Sequence, residues 1–552
     1  MALAPSRVAL VAVGYAVVAA VSMHPLIQQF TTHFPGAPGN MDVFGFLWNN
    51  WWIHEAFTRL HTTPLHTNAI FAPVGVDLRL HTIGWLYGLL SLPVFSWLGP
   101  VVTLNVQIIA TAVLNGLALF TLARQVTRDD AAACVAGLLL ATTPAINFHL
   151  DVGRPSCAAL WTAILAIAAL LRFLEQPTTG SAARLAAWLV ATLLCDQQVA
   201  MFCAVWCVIL VADMLLTRAR SVPRPSLTFV LGVSAVVALP AYLFYWKPFM
   251  NVGGYTTPAA SEAVTYSYPL RLLWTPSMLW KVYGTVMPVI ALAAVWLCRR
   301  ERRLWPWVIG AALCVAMSFG PVVHGTHVPL PFALLAKLPG FSQFRTPYRF
   351  QIPAALGLAM LVAMVIARRN AAVGRQRAIV VTMAVALCVL VDLTVYRRVS
   401  PMKVQTMPSE AVYGAIAGDP REGLLLEVPL GVRTGTDRIG VGEELSFYQP
   451  IHRKRLINGF LARAPLSALD YYRQSTALRL LAGDGVPAGE SAADLSRQIR
   501  AMNVIYVVVH PLLMDAEWLN RVLAVLRAEP RLREQSSGDE TIVFAVVTAT
   551  AP

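Results

Sequence analysis

The sequence predicts a mainly α-helical, polytopic membrane protein of about eleven transmembrane helices, followed by an extracytoplasmic α/β domain. Three observations carry that reading. The 552 residues are 57% apolar and only 13% charged, whereas soluble domains carry about 25% charge. Apolar runs of membrane-spanning length recur from residue 8 to residue 396. From about residue 397 the pattern turns polar and mixed, with short apolar runs.

A span needs about 20 mostly apolar residues. Such runs lie at about 8–23, 100–122, 130–147, 157–173, 183–197, 198–216, 226–247, 284–298, 305–320, 350–367 and 378–396. Arg7 opens the first run, and no small-residue cleavage site closes it, so it reads as a retained span. The run 82–98 is interrupted by Gly84, Gly88 and Pro93 and reads as a re-entrant or surface segment. Broken helix at that depth must be buried in protein or line a cavity.

The arginines orient the set. With 82–98 not crossing, five groups fall on the same side as Arg7: Arg124 with Arg128, Arg172 with Arg184, Arg218 to Arg224, Arg299 to Arg303, and Arg368 to Arg377. The positive-inside bias makes that side, and the N-terminus, cytoplasmic. Loops 24–99, 148–156, 248–283 and 321–349 are then outside, as is everything after 397. Arg397, Arg398 and Lys403 run against the rule. Merging 183–197 with 198–216 would invert all that follows, and the later arginine groups argue against it. The predicted division is a transmembrane domain over 1–396, including the loop 24–99, and an outer α/β domain over 397–552.

In the outer domain GLLLEVPL (423–430), VIYVVVH (504–510) and TIVFAVV (541–547) read as strands. Helices are expected over 491–502, capped by Ser491, and over about 514–528. All eight cysteines lie in or beside apolar runs and none follows Cys388, which speaks against a disulfide scaffold. The net charge of +14 sits in short inter-span loops, where bilayer orientation explains it, so no nucleic-acid partner is expected.

Functional residues are sought first in Met41 to Leu60, MDVFGFLWNNWWIHEAFTRL. As a helix, Phe46, Ile53, Phe57 and Leu60 share a stripe. Glu55 and Arg59 are four apart and can pair. Trp48, Trp51 and Trp52 suit the headgroup layer. The stretch reads as a helix lying on the membrane surface with Asp42 at its start. An acid there reaches a reactant dissolved in lipid, which makes Asp42 the candidate catalytic base. A helix cap is its alternative role. His54 and Glu55 are further candidate substrate contacts, although Glu55 has a ready partner in Arg59.

Two more outer loops carry chemistry. NFHLDVGRP (147–155) presents His149, Asp151 and Arg154, with a solvated turn as the alternative. Asp42, His149 and Asp151 would form a hard-ion site if their loops converged, though nothing in their spacing demands it. The loop 321–349 ends in Arg345 and leads into Arg349. Two guanidiniums at the membrane boundary can clamp a phosphate; headgroup binding or snorkelling is the bland option. His324 and His327, earlier in that loop, assist proton transfer or merely line it. Asp196, Asp213 and Asp392 lie near span ends and are set aside.

The order of a first span, an outer loop with an acid, and some ten further spans resembles the GT-C fold of membrane glycosyltransferases. DVFGFLWNNWW (42–52), IFAPVGVDLRLHT (70–82), LPGFSQFRTPYRF (338–350) and YQPIHRKRLINGFLAR (448–463) resemble a bacterial branch of it. The resemblance implies a polyprenyl-phosphate sugar as donor and a glycan, lipid or protein as acceptor. It implies inverting transfer on the outer face of the inner membrane, among membrane lipids. It carries Asp42 onto the first-loop acid, and Arg345 or Arg349 onto the contact with the lipid phosphate. Many relatives show two adjacent acids there. Here the neighbours are Met41 and Val43, so the paired-acid metal contact is incomplete, and Asp151 is the remaining candidate for the second acid. A divalent cation is left open, with no ligands assigned. His452, Arg453, Lys454 and Arg455 are candidates for anionic contact in the outer domain, against a solvated turn. Two rival functions remain. A flippase or transporter of a lipid-linked glycan needs polar groups at the midplane. A non-catalytic scaffold of envelope assembly would keep the fold and lose the acid.

Overall fold

The computed structural model describes residues 5–218 and 260–547, apart from 38–39, 80, 339–343, 407–410, 436, 465 and 539, with scattered positions between 219 and 259. The expected span 226–247 therefore lies, but for those scattered positions, outside the described residues, as do Arg220 and Arg224. The chain forms two compact units. One comprises Met1–Val43, Gly84–Trp246 and Ala259–Thr406; the other comprises Phe44–Ile83, Lys247–Pro258 and Met407–Pro552.

The first unit is helical, and its helix ends follow local chemistry. Asp129 accepts a hydrogen bond from the Ala132 N–H at 2.8 Å and starts Asp130–Thr142. Thr178 and Ser181 form a capping box that starts Thr179–Cys195. Asp196 is extended, at φ −162° and ψ 137°, and its Oδ1 accepts from the Gln198 N–H at 2.8 Å. That break makes Thr179–Cys195 and Gln197–Arg218 two helices that pack on each other, as the arginine pattern requires. Helix Trp85–Thr127 is broken at Gly99, with φ 70° and ψ 174°, next to Pro100, so 82–98 is a separate helical piece. Small residues let helices approach closely. Trp206 donates to Pro353 O at 3.2 Å and packs where Gly310 and Gly357 have no Cβ. His33–Pro35 and Val404–Thr406 pair antiparallel.

Among the described residues, five helices are long and apolar enough to cross a membrane: Trp85–Thr127, Pro155–Glu175, Gln197–Thr217, Pro347–Ala372 and Arg375–Val399. Two bent pairs raise the number to seven, Asp130–Thr142 with Pro144–Asp151 (41°) and Pro276–Tyr283 with Val286–Cys298 (100°). Of the eleven expected runs, 226–247 lies almost wholly outside the described residues and three others form helices shorter than this length. Hydropathy counts apolar runs, whereas Ser6–Ser22 and Thr179–Cys195 are shorter helices and Trp305–Ser318 has only 14 residues. The chain is a membrane protein.

The second unit is built on a five-stranded sheet in the order Leu532–Ser537, Ile542–Val546, Val504–Val509, Leu424–Val428, Arg455–Leu456. The last three run parallel, and the first two are antiparallel additions. Leu425, Val508 and Val543 belong to its core with Tyr413 and Tyr448. The buried Glu427 carboxylate meets His510 Nε2 at 2.8 Å. Helix Ala516–Ala528 starts at Asp515, whose side chain accepts from the Trp518 N–H. Helix Ala488–Met502 starts three residues before the expected Ser491. Ser491 does not cap it; its hydroxyl donates to Pro487 O and Thr476 O.

Two expectations change here. The loop 24–99 is not one piece with the transmembrane domain, because Phe44–Ile83 belongs to the unit that holds the sheet. The reason is backbone pairing and side-chain bonds over long sequence distances. Leu456 N–H donates to Ala69 O at 2.7 Å, and Ala72 N–H to Leu456 O at 3.0 Å. Trp48 Nε1 donates to Gln449 Oε1 at 2.8 Å. Helix Met41–Thr58 is also not a surface helix. Trp48, Trp51, Trp52, Phe44 and Ile53 are all buried, and only Phe57 and Leu60 of the expected stripe are exposed. Its tryptophans fill a protein core rather than a headgroup layer.

Candidate functional site

The first unit gathers arginines around one carboxylate. Asp42 lies in the first turn of Met41–Thr58, where its backbone N–H donates to Asn40 Oδ1 at 3.2 Å, so Asn40 takes the capping role. The Asp42 carboxylate instead pairs with Arg154. Gly153 makes this approach fit. Its φ is +73°, and a Cβ there would sit 2.3 Å from Val43 Cγ2, so only glycine lets the turn lie against the helix start. Asn40 Nδ2 ties the same turn down at Val152 O.

Burial pushes the Asp42 carboxyl upward, but Arg154 pulls it down, joined by Arg349 and Arg345, and it ends below the ordinary carboxylate value. Asp42 is therefore ionised at neutral pH, and 37% of its side chain is still exposed. Arg154, Arg349 and Arg345 are all within electrostatic reach of it. The sequence brought Asp42, Arg345 and Arg349 forward as candidates, and the fold brings the three together.

Each arginine has a different setting. Arg345 lies 3.8 Å from Glu262 of helix Ala260–Thr265. Arg349 leaves the turn Pro347–Phe350, donates through Nη1 to Gln198 Oε1 at 2.7 Å, and stacks over the Tyr348 ring at 5.8 Å. His149 is buried beside this group, its ring parallel to Tyr348 at 6.1 Å. His149 Nδ1, Arg154 Nε and Thr346 Oγ1 are buried with no hydrogen-bond partner among the described residues. Unsatisfied buried polar atoms are rare, and several at one place mark a spot where water or ligand completes the bonding.

The other candidates lie elsewhere. Asp151 turns to Arg397, whose Nη1 bonds both carboxylate oxygens at 2.8 and 2.7 Å. That pair accounts for an arginine that runs against the charge rule. It also removes Asp151 as a free second acid. Among the described residues no three His, Cys, Asp or Glu side chains group as metal ligands. Asp42 and Asp151 each face a guanidinium, so the donor set present does not fit a cation, and no step is routed through one. Glu55 pairs with Arg59, as its spacing suggests, and His54 lies on the same helix with its imidazole pKa lowered by burial; both belong to the second unit. His324 stands exposed on the turn between Val322 and Pro329. Lys454 Nζ bonds the backbone oxygens of Asp419 and Arg421, and His452 is buried, whereas Arg453 and Arg455 are exposed. Sequence reasoning left Arg154 as a turn residue and passed over Gln198 and Glu262. The one available signal was that polar residues at a span boundary, as in Asp196 to Gln198, are functional suspects.

No protein-family model matches the sequence, and no curated protein resembles it at the level of sequence. Solved structures do share its shape. The arabinofuranosyltransferase AftD from Mycobacteria superposes with a TM-score of 0.59 at 17% identity over 100% of this chain. This chain spans 40% of the length of that protein. ArnT from Cupriavidus metallidurans, in a crystal structure bound to undecaprenyl phosphate, gives 0.52 at 16% identity, with 100% of each chain covered. Its apo state gives 0.52 over 98% of each. At such identities the likeness establishes the fold, and the fold is that of the GT-C membrane glycosyltransferases.

Proposed function

We propose that this protein is a membrane glycosyltransferase of the extracytoplasmic face of the inner membrane. It moves a hexosyl or pentosyl group from a polyprenyl-phosphate donor to a glycan, lipid or protein acceptor. The N-terminus is cytoplasmic in this reading and the α/β region outside. Fold alone does not fix activity. The observation that carries the proposal is the ionised, partly exposed Asp42 with three guanidiniums in its field. Structural neighbours lend support, since AftD is an arabinofuranosyltransferase and ArnT was crystallised with undecaprenyl phosphate.

The chemistry follows from charge. The acceptor hydroxyl becomes nucleophilic as a base takes its proton, and Asp42 is that base. A bond forms from the acceptor oxygen to the anomeric carbon as the bond from that carbon to the phosphate oxygen breaks. The electron pair leaves with the polyprenyl phosphate, and attack from the opposite face inverts the centre. Arg345 and Arg349 stabilise the charge gathering on the phosphate. Arg154 keeps Asp42 ionised and turned toward the site. His149 lines the same space.

The test is transfer of sugar from a labelled polyprenyl-phosphate donor in vesicles that carry the protein. Asp42→Asn at normal membrane level is expected to abolish transfer, and full retention of transfer would remove Asp42 from the mechanism. Mass spectrometry of surface glycans with and without the protein identifies the product. A flippase would instead relocate the lipid-linked glycan and leave its linkage intact.

A further inference from the structure

The three guanidiniums near Asp42 differ in what neutralises them. Arg154 is paired with Asp42, and Arg345 has Glu262 at 3.8 Å. Among the described residues no carboxylate is hydrogen-bonded to Arg349. It is held by the Gln198 amide oxygen at 2.7 Å, by the Cys157 sulfur at 3.8 Å and by the Tyr348 hydroxyl at 3.4 Å. The Gln198 position is itself fixed from behind. It is the second residue of its helix, and its N–H is bound by Asp196 Oδ1 at 2.8 Å. Asp196 Oδ2 in turn accepts from the Cys157 thiol at 3.5 Å. The buried Asp196 thus ties together two of the groups that touch Arg349.

A buried cation needs a hydrogen-bond acceptor. A carboxylate would supply one and cancel the charge. An amide oxygen supplies one and leaves the charge in place. We propose that Gln198 is a positioning residue for anion recognition. It aims the Arg349 guanidinium and, being neutral, leaves its positive charge available for the phosphate of a polyprenyl phosphate. The inference rests on the reading of Arg349 as the phosphate contact, and deepens it by naming what sets donor affinity.

The experiment measures binding of undecaprenyl phosphate to the purified full-length protein in lipid nanodiscs. Each variant is first checked for a monodisperse elution profile. Gln198→Glu keeps shape and acceptor but adds the cancelling charge, and is expected to weaken binding about tenfold or more. Gln198→Met removes the acceptor without adding charge, and is expected to weaken it about threefold, which keeps the idea testable if the glutamate variant does not fold. Both effects should vanish, to within about twofold, in an Arg349→Ala background, because they act through Arg349. A general structural lesion would persist there. If Arg349→Ala binds normally, the phosphate reading fails and the inference falls with it. If Arg349→Ala weakens binding while both Gln198 variants bind as the wild type, or weaken it equally in the two backgrounds, the positioning role alone is overturned.

Discussion

Two ion pairs share the turn 149–154 of the first unit, and they are opposites in accessibility. Asp151 and Arg397 have side chains 16% and 11% exposed, and both carboxylate oxygens are bound by one guanidinium nitrogen. Asp42 is 37% exposed beside Arg154 at 16%. The first pair is sealed and holds helix Arg375–Val399 to the turn. The second leaves a carboxylate that a reactant can reach, ionised and surrounded by positive field. Two Asp–Arg pairs that meet at one loop, through Asp151 and through Arg154, thus divide into a strut and a candidate catalyst. Accessibility, rather than the presence of a partner, separates them.

Breaking the reachable pair should have the largest effect. Asp42→Asn is expected to lower the transfer rate by about a hundred- to ten-thousandfold, the usual range for loss of a general base, with thermal stability nearly unchanged. Asp151→Asn should do the reverse. It leaves Arg397 buried and uncompensated, at a cost of about 3–5 kcal/mol, seen as a lowered unfolding temperature in detergent. Transfer per folded molecule should stay within a few-fold. Replacing Asp151 and Arg397 together by leucine should recover most of that stability, since an apolar pair of similar size is often neutral.

Next comes the donor. Arg349→Ala should raise the half-saturating donor concentration about ten- to a hundredfold, and Arg345→Ala less, because Glu262 already offsets part of its charge. An unchanged value for Arg349→Ala would reject the phosphate role.

The pH dependence sharpens the comparison further. As the proposed base, Asp42 would act only when ionised, so activity is expected to fall as pH drops through its pKa. In the wild type that value lies below the ordinary 3.8. Arg154→Met removes the strongest lowering influence and leaves burial, which raises it. The acid limb of the rate profile should therefore move to higher pH. A limb that stays in place would dissociate Arg154 from Asp42. The smallest effect is expected at His324, whose exposed turn predicts that His324→Ala transfers sugar at the wild-type rate.

Much of the architecture was legible because membrane burial writes itself into composition. Apolar runs marked the helices, and the arginine groups separated Thr179–Cys195 from Gln197–Arg218 before any coordinates did. Helix lengths were less legible. Hydropathy cannot see the bend after Thr142 that breaks the expected run 130–147, or the helix Pro276–Tyr283 that precedes the run 284–298 at a 100° bend. The three tryptophans at 48, 51 and 52 misled, because an amphipathic ring suits a headgroup layer and a protein core alike. Burial in the fold decides between them, as where Trp48 bonds Gln449, 401 positions away.

By itself the sequence determined the membrane class of the protein, the acid-bearing loop after the first apolar helix, and the residue types proposed to meet phosphate and proton. Those depend on local pattern: hydropathy, period and charge. The tertiary structure alone decided that Arg154 meets Asp42 while Arg397 takes Asp151, and that the loop Phe44–Ile83 folds with the sheet. The physical reason is that which partner and how much exposure a charge receives is set by close packing across a hundred or more residues, as where Gly153 clears room for Val43, and no local spacing encodes that.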